Sequence, residues 1–358
     1  MTSAANISQF PRELATLSAR LGQRIELVQG PGGNTSIKDG NTLWIKASGK
    51  WLADAQRRNI FVPIDLRRAR ALIKQGIGDL ASCVIGESGL RPSIETAVHA
   101  LIEYPVVVHL HSINALAWAV RTDGQSTVAS KLRGLNWVWL DYARPGPELA
   151  TALYNLLKKR ATANVILLGN HGLVICAESV GEAEALVKIV EKRLAALARP
   201  WQPPSSKDLE YFSAISECRL PTVMDTHAIA RDPLARRLAS DGALYPDHAV
   251  FLGGSVPIVT HQSDSSGHGA IEARLALPPY CVIVQEQAVL LGSECSAAAE
   301  AMLACCALVV LRQHDPALVH YLAANEVEAL GAWEMEKFRK QESTSHLSKV
   351  SGRPGEAQ

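Results

Sequence analysis

The sequence predicts an α/β fold, because short apolar runs typical of strands alternate with segments of helical periodicity. Two strand-like runs show this best. One is the valine-rich segment 105–110, and the other is the apolar run 165–168, which lies just before His171. A long helix is predicted after the second run, over 180–198. The proline-rich segment 199–204 closes this region, so we predict a first domain over residues 1–200.

The elements of this domain follow from apolar spacing and from turn residues. Leu14, Leu17 and Leu21 lie on one face of a helix over 9–22, which Gly22 ends. Asp39-Gly40-Asn41 predicts a hairpin turn, and Ser93 is a candidate N-cap. Further helices are predicted over 66–75, 93–104, 113–120 and 148–160. Strands are predicted over 25–29, 35–38, 42–46, 59–65, 105–110, 136–142, 165–168 and 173–176.

A second, smaller α/β unit is predicted over residues 201–338. It contains strand-like runs at 280–284 and 288–292, followed by a helix over 297–313. These runs resemble the end of the first domain at a constant offset, with Gln287 in the place of His171. The pattern indicates either a degenerate repeat without the metal ligands or a chance match of two strand–helix pairs. Residues 339–358 are polar and are predicted to form a disordered tail.

Composition excludes several classes of protein. The chain has 358 residues, and its 36 basic and 35 acidic residues give a net charge of +1, which offers no electrostatic footprint for nucleic acid or for an anionic membrane. The apolar stretch 297–311 is too short to span a bilayer, and the N-terminus shows no signal peptide. The seven cysteines form no Cys-x-x-Cys pair. They indicate reduced thiols in a cytoplasmic protein.

Three histidines at strand ends indicate a metal site. His109 and His111 are two residues apart on one strand, so their side chains point to the same face. His171 follows another apolar strand, between Asn170 and Gly172. Three neutral imidazole nitrogens suit Zn²⁺ and leave a position open for substrate. A single buried histidine is more often a core or capping residue, but two unpaired imidazoles are costly to bury together.

Two glycine-rich turns and one carboxylate are further candidates. The turns 30–36 and 47–50 expose backbone N–H groups and hydroxyls, which can hold a phosphate, although most such turns are only turns. Neither turn has the residues of a P-loop or of a dinucleotide-binding motif. Glu95 lies in the first turn of a predicted helix, where a carboxylate is favoured by the helix dipole alone. The neighbouring strand would also place this carboxylate beside the histidines.

The order of these motifs resembles the class II aldolase/adducin family. Its enzyme members include the L-fuculose- and L-rhamnulose-1-phosphate aldolases and L-ribulose-5-phosphate 4-epimerase. The resemblance covers about residues 10–200 and rests on Gly32-Gly33-Asn34-Thr35-Ser36, Ala47-Ser48-Gly49, Pro92-Ser93-Ile94-Glu95, His109-Leu-His111 and Asn170-His171-Gly172. In addition, segment 332–340 resembles the region that follows the aldolase part of bifunctional rhamnulose-phosphate aldolase/lactaldehyde dehydrogenases. The resemblance implies a three-layer α/β/α domain with a central mixed sheet.

The resemblance also implies a role for each matching residue. His109, His111 and His171 would bind Zn²⁺ or another divalent metal. Glu95 would be the acid/base, with a pKa raised towards neutrality, and a further metal ligand when no substrate is bound. The substrate phosphate would be held by Gly33, Asn34, Ser48, Gly49 and Ser93. One departure weakens the phosphate assignment: many relatives have a second small hydroxyl residue before the glutamate, and this chain has Ile94.

The function implied is a zinc-dependent aldehyde-lyase that cleaves a ketose 1-phosphate to dihydroxyacetone phosphate and an aldehyde. A second proton donor is needed, and Tyr142 is the nearest candidate in sequence. A sugar-phosphate 4-epimerase or a decarboxylase of a 3-oxo sugar-acid phosphate would use the same metal and loops. A non-catalytic, adducin-like scaffold is the alternative outside enzymes. The family also implies a homo-oligomer, because its active sites lie near subunit contacts.

Overall fold

The computed structural model describes residues 10–214, 218–260 and 265–344. In chain order, its strands are β1 (Asn34–Asp39), β2 (Thr42–Lys46), β3 (Phe61–Asp65), β4 (Val106–Leu110), β5 (Trp137–Leu140), β6 (Val165–Leu168), β7 (Gly172–Ala177), β8 (Cys218–Arg219), β9 (Ile258–Val259), β10 (Cys281–Val284) and β11 (Ala288–Gly292). The helices up to residue 200 are α1 (Arg12–Gly22), α2 (Leu66–Lys74), α3 (Thr96–Leu101), α4 (Ile113–Ala119), α5 (Gly124–Lys131), α6 (Pro147–Lys159) and α7 (Val180–Leu194). The later helices are α8 (Ser206–Ser213), α9 (Ala228–Arg231), α10 (Pro233–Ser240), α11 (Pro246–Leu252), α12 (Ser265–Leu275), α13 (Ala297–Val310), α14 (Ala324–Ala332) and α15 (Glu334–Thr344). No helix of the described residues is both long and apolar enough to cross a membrane.

A seven-stranded mixed sheet forms the first domain, in the order β3-β2-β1-β4-β7-β6-β5. All neighbouring strands are antiparallel except β5 and β6, which are parallel. The central strand β4 begins with three consecutive valines and is buried along its whole length, as expected for a strand covered on both faces. The predicted mixed α/β sheet is therefore confirmed.

Helices cover both faces of this sheet and give the predicted three layers. On β4, Val106, Val108 and Leu110 enter a core that also contains the buried faces of α1 and α7. Val107 points to the other face and enters a second core, which is formed with α3 and α6. The alternation along β4 places His109 and His111 on the same face as Val107. The two imidazoles therefore face the α3 side of the sheet.

A second sheet of four strands, in the order β8-β11-β10-β9, lies in the C-terminal part. Its hairpin β10–β11 has the register of the β6–β7 hairpin 116 positions later in the chain: Val284 pairs with Ala288 as Leu168 pairs with Gly172. A parallel strand flanks the hairpin in both sheets, β9 beside β10 and β5 beside β6. This agreement supports the predicted degenerate repeat, which stays a prediction.

The two units share a hydrophobic core. Ile113, Leu116 and Val120, from α4 and the residue that follows it, are buried in one cluster with side chains of the C-terminal unit such as Leu244 and Met302. Strand β4 runs directly into α4, so the strand that carries His109 and His111 is anchored on this shared core. The division at residue 200 therefore marks a change of sheet, with one hydrophobic cluster shared by the two units, and the two-domain boundary itself stays a prediction.

Three sequence predictions are corrected by the structure. Residues 25–29 form turns, not a strand, because the N–H groups of Leu27 and Val28 both donate to the carbonyl of Arg24. The helix expected over 93–104 is shorter, since Ser93 forms a turn in which its Oγ accepts from the N–H of Glu95. The predicted tail begins too early: α15 continues to Thr344. Residues 345–358 of that tail lie outside the described residues.

Candidate metal centre

The sheet brings the three histidines together. His109 is in β4 and His111 follows its last residue, Leu110. Leu110 pairs with Leu173 of β7, so the turn between β6 and β7 lies at the same end of the sheet. His171 is in that turn, which is made by Asn170 with a positive φ of 48°. His111 and His171, which are 60 residues apart in sequence, thus meet at the same end of the two inner strands β4 and β7.

The ring nitrogens of these histidines are close enough to share one ion. One ligand atom from each of His109, His111 and His171 lies within 4.8 Å of the others. The Nε2 atoms of His109 and His111 are 3.1 Å apart, and the three ring centroids are separated by 4.9, 4.9 and 5.5 Å. The 3.1 Å separation of the two Nε2 atoms suits a divalent ion bound at about 2.0–2.1 Å from each nitrogen.

Contacts of the outer ring nitrogens fix the orientation of two of these rings. The Nδ1 of His109 lies 3.2 Å from the carbonyl oxygen of Leu173, and the Nδ1 of His111 lies 3.0 Å from a carboxylate oxygen of Asp247. Each acceptor favours a proton on Nδ1 and leaves Nε2 free to bind a metal. Burial lowers the pKa of His109 and lowers that of His171 to about 3, so both rings are neutral near pH 7. The donor set therefore fits Zn²⁺.

Glu95 lies beside the three histidines. Its two carboxylate oxygens are 3.5 Å from Nε2 of His109 and 3.4 Å from Nε2 of His171. Burial would raise the pKa of Glu95, but the facing imidazoles and a 2.7 Å hydrogen bond from the Asn34 amide together lower it to about 2. The expectation of a pKa raised towards neutrality is therefore wrong for this arrangement. Glu95 thus presents ionised oxygen atoms to the imidazoles, and its role as a further metal ligand stays a prediction.

A buried hydrogen-bond chain holds Glu95 from the opposite side. The amide oxygen of Asn34 contacts Nε2 of His99, and Nδ1 of His99 lies 2.7 Å from the hydroxyl of Ser36. Burial lowers the pKa of His99 to about 3, so its ring is a neutral link in this chain. Sequence reasoning missed His99. Its spacing in α3 places it one helical turn after Glu95, and that position is the signal that could have found it.

The predicted phosphate-binding residues line a cavity next to the histidines. Gly33, Asn34, Ser48, Gly49 and Ser93 all face it, together with Glu95, His111 and His171. The hydroxyl of Ser48 is buried and has no hydrogen-bond partner among the described residues. A buried hydroxyl without a partner is costly, and a polar ligand would satisfy it.

The class II aldolase and adducin N-terminal domain model matches residues 12–198, just over half of the chain. The chain belongs to the class II aldolase/adducin family. Members of this family are typically dependent on a divalent metal, and the three clustered histidines lie within the matched segment.

Individual relatives match about half of the chain. The chain is 30% identical over 192 residues to a Bacillus subtilis (strain 168) protein described as the uncharacterized oxidoreductase YuxG. That match covers 49% of this chain and 28% of the relative's length. The N-terminal class II aldolase domain of a Thermoplasma acidophilum protein is 27% identical, with a TM-score of 0.46, 54% of this chain and 97% of that domain covered. For L-fuculose-1-phosphate aldolase from Thermus thermophilus, the identity is 18% and the TM-score 0.36, with 51% and 92% covered.

Four charged residues that sequence reasoning missed also line the cavity of this class II aldolase family member. Lys46 is buried, and its ammonium group donates to the carbonyls of Pro31 (2.6 Å) and Lys50 (2.9 Å). Burial lowers its pKa to about 7. The other three are Asp247, Glu336 and Arg339, all from the C-terminal unit. Only the tertiary structure brings Asp247, Glu336 and Arg339 to the histidines, so no local sequence signal could have identified these three residues.

Tyr142, the predicted proton donor, does not line this cavity. Its hydroxyl lies 3.4 Å from a carboxylate oxygen of Glu326 in α14, and burial together with this carboxylate raises its pKa. Tyr142 instead borders a separate depression that Asn170 and His320 also line. Within one chain, the structure does not bring Tyr142 to the histidine cluster.

Proposed function

We propose that this protein is a zinc-dependent aldehyde-lyase that cleaves a ketose 1-phosphate to dihydroxyacetone phosphate and an aldehyde. The observation that carries the proposal is the meeting of His109, His111 and His171 with Glu95 at one buried sheet edge. Membership of the class II aldolase family supports a divalent metal and carbohydrate chemistry. The choice of zinc, of the lyase reaction and of a phosphorylated ketose belongs to this proposal.

In this proposal, different residues of the site have different roles in the reaction. The three histidines would hold the ion, which when bound supplies a Lewis acid that stabilises negative charge on the substrate's oxygen atoms. Glu95 would move the proton at the carbon that becomes the nucleophile, and its ionised state is the form that a base requires. Asn34 keeps the Glu95 carboxylate oriented through its 2.7 Å hydrogen bond.

The other end of the cavity would hold the phosphate. Gly33, Gly49, Ser93 and the unpartnered Ser48 hydroxyl offer polar groups, and the Lys46 side chain also lines the cavity. The donor for the second proton stays open in this proposal. Tyr142 stays a prediction for that role, which it would serve only across a subunit contact of the proposed homo-oligomer. A cytoplasmic location is supported by the seven free cysteines.

Metal analysis combined with a substrate screen tests the proposal. We expect about one zinc per chain in wild-type protein, and loss of most of it in His109→Ala, His111→Ala and His171→Ala. The surface variant His314→Ala is the matched control, since this histidine is exposed and lies outside the cavity. Dihydroxyacetone phosphate is then assayed after incubation with L-fuculose 1-phosphate and L-rhamnulose 1-phosphate. Glu95→Gln should lose release of this product by at least about 100-fold.

Any other result of the zinc analysis and substrate screen would indicate one of the alternative functions. Stoichiometric zinc without dihydroxyacetone phosphate from any ketose 1-phosphate would contradict the lyase reaction. An epimer or carbon dioxide as the product would then indicate a sugar-phosphate 4-epimerase or a decarboxylase. Absence of bound zinc, with the histidine variants changing only stability, would identify an adducin-like scaffold.

A further inference from the structure

The C-terminal unit places a carboxylate directly behind one of the three histidines. Asp247 is the second residue of α11, which begins at Pro246, and its side chain is only 2% exposed. One of its carboxylate oxygens lies 3.0 Å from Nδ1 of His111. The segment matched by the family model ends at residue 198, so Asp247 comes from a part of the chain that the family domain does not contain.

An ion-pair network holds this carboxylate in place. The other oxygen of Asp247 is paired with the guanidinium of Arg339 in α15. Arg339 also donates from Nε to Glu336 at 2.6 Å, and all three side chains are buried. The pairing with the Arg339 guanidinium suits a carboxylate anion at this buried position. Two helices of the C-terminal unit thus present one fixed anion to His111.

The turn before β1 is shaped to allow this contact. A Cβ atom on Gly32 would lie 2.8 Å from Nδ1 of His111 and 2.9 Å from the nearer oxygen of Asp247. Both distances are shorter than ordinary van der Waals contacts, and neither group is at the end of a flexible side chain that is free to move. Glycine at position 32 therefore leaves room for the imidazole and the carboxylate to meet.

We propose that Asp247 is a positioning residue for the metal centre. The Asp247 oxygen that lies 3.0 Å from His111 Nδ1 favours the tautomer with its proton on Nδ1 and Nε2 unprotonated, and Arg339 fixes the carboxylate. A carboxylate behind a metal-binding histidine raises the basicity of the ring and orients it, and removing such a partner typically costs about 10- to 100-fold in metal affinity. The C-terminal unit therefore completes a site whose ligands all lie in the first domain. This inference rests on the metal site of the proposed function.

The test measures zinc affinity separately from folding. Metal-free wild-type protein and the Asp247→Asn and Asp247→Ala variants are titrated with Zn²⁺ against a chromophoric chelator. We expect dissociation constants about 10-fold higher for Asp247→Asn and about 100-fold higher for Asp247→Ala. Glu300→Gln is the matched control, because Glu300 is also a buried, arginine-paired carboxylate of this unit but lies away from the cavity. Its zinc affinity should equal that of wild type.

Melting temperatures of the metal-free proteins separate positioning from general stabilisation. A purely structural role would lower the melting temperatures of Asp247→Asn and Glu300→Gln alike and leave both zinc affinities unchanged, which would overturn the inference. The asparagine variant conserves volume, so it keeps the test valid if Asp247→Ala does not fold. A wild-type protein that binds no divalent ion would overturn both this inference and the proposed function, whereas equal affinities in wild type and Asp247→Asn would overturn this inference alone.

Discussion

His227 should make the stability of the C-terminal unit sensitive to mild acid. The ring is 1% exposed, and its Nδ1 accepts a 3.0 Å hydrogen bond from the N–H of Val289 in β11, so the folded protein requires the neutral ring. Burial lowers its pKa from 6.5 to about 4. Above pH 6.5 the ring is neutral in both the folded and the unfolded chain. Between pH 6.5 and 4 only the unfolded chain takes up the proton, so stability falls as pH falls, and below pH 4 there is no further loss.

The size of this loss follows from the pKa shift. At about 1.36 kcal/mol per pKa unit, protonation of His227 lowers the free energy of unfolding by up to about 3 kcal/mol. With an unfolding entropy of about 2.1 cal/mol/K per residue, this corresponds to about 4 °C in melting temperature for a chain of 358 residues. In His227→Asn, the amide oxygen takes the place of Nδ1 as acceptor and has no proton to gain.

Unfolding curves of wild type and His227→Asn at pH 7.5, 6, 5 and 4 provide the assay. The melting-temperature difference between the two proteins should change by about 4 °C in favour of the variant between pH 7.5 and 4. His248, whose pKa burial also lowers to about 4, and the histidines of the cavity contribute equally to both proteins and cancel. The exposed His314→Asn variant controls for the loss of a histidine as such. Parallel curves for wild type and His227→Asn would refute the reasoning.

Two further variants test the packing around the site. Gly33→Ala should lower the free energy of unfolding by about 2–4 kcal/mol in urea titrations, because φ is +58° and the new Cβ would lie 2.7 Å from the carbonyl oxygen of His109. Gly40→Ala is the control, because Gly40 also has a positive φ (+56°) but an added Cβ would meet no atom there, so this variant measures the cost of the backbone conformation alone. If both variants lost the same free energy of unfolding, the contact between the new Cβ of residue 33 and the His109 carbonyl would contribute nothing. Leu116→Ala should cost about 2–5 kcal/mol and lower one single melting transition, since the shared core couples the units, while exposed Leu197→Ala is neutral. Two transitions, of which only one shifts, would contradict a shared core.

The strand patterns carry most of what could be predicted of the site. Along β4, two-residue spacing alone places His109 and His111 on one face, and the apolar run of β6 places His171 at a strand end. These are local properties of the chain, and the sheet pairing of Leu110 with Leu173 then makes them converge. The hairpin β1–β2 was predictable for the same reason, because Asp39-Gly40-Asn41 specifies a tight turn by its own conformational preference.

What could not be predicted depends on contacts between distant segments. Segment 25–29 has the composition of a strand, but its N–H groups bond within a turn and the carbonyl of Glu26 accepts from the N–H of Ile113. Asp247 and Arg339 look like ordinary surface residues in sequence, since nothing local indicates that they are buried against each other. The direction of the pKa shift of Glu95 was misjudged because two effects oppose each other. Burial raises this pKa, whereas the facing imidazoles lower it, and only the structure shows which groups face the carboxylate.

The register of the second sheet explains why its described residues hold no metal-binding cluster of their own. Asn170 and Glu286, at the same place in the two hairpins, both adopt positive φ, of 48° and 63°. Arg219 pairs with Leu291 as Val108 pairs with Ile175, but β8 ends at Arg219, so the strand does not continue to counterparts of His109 and His111. Gln287 replaces His171 in the turn. The amide of Gln287 offers no imidazole nitrogen for Zn²⁺, and the second sheet can therefore share strand pairing with the first without its metal-binding chemistry.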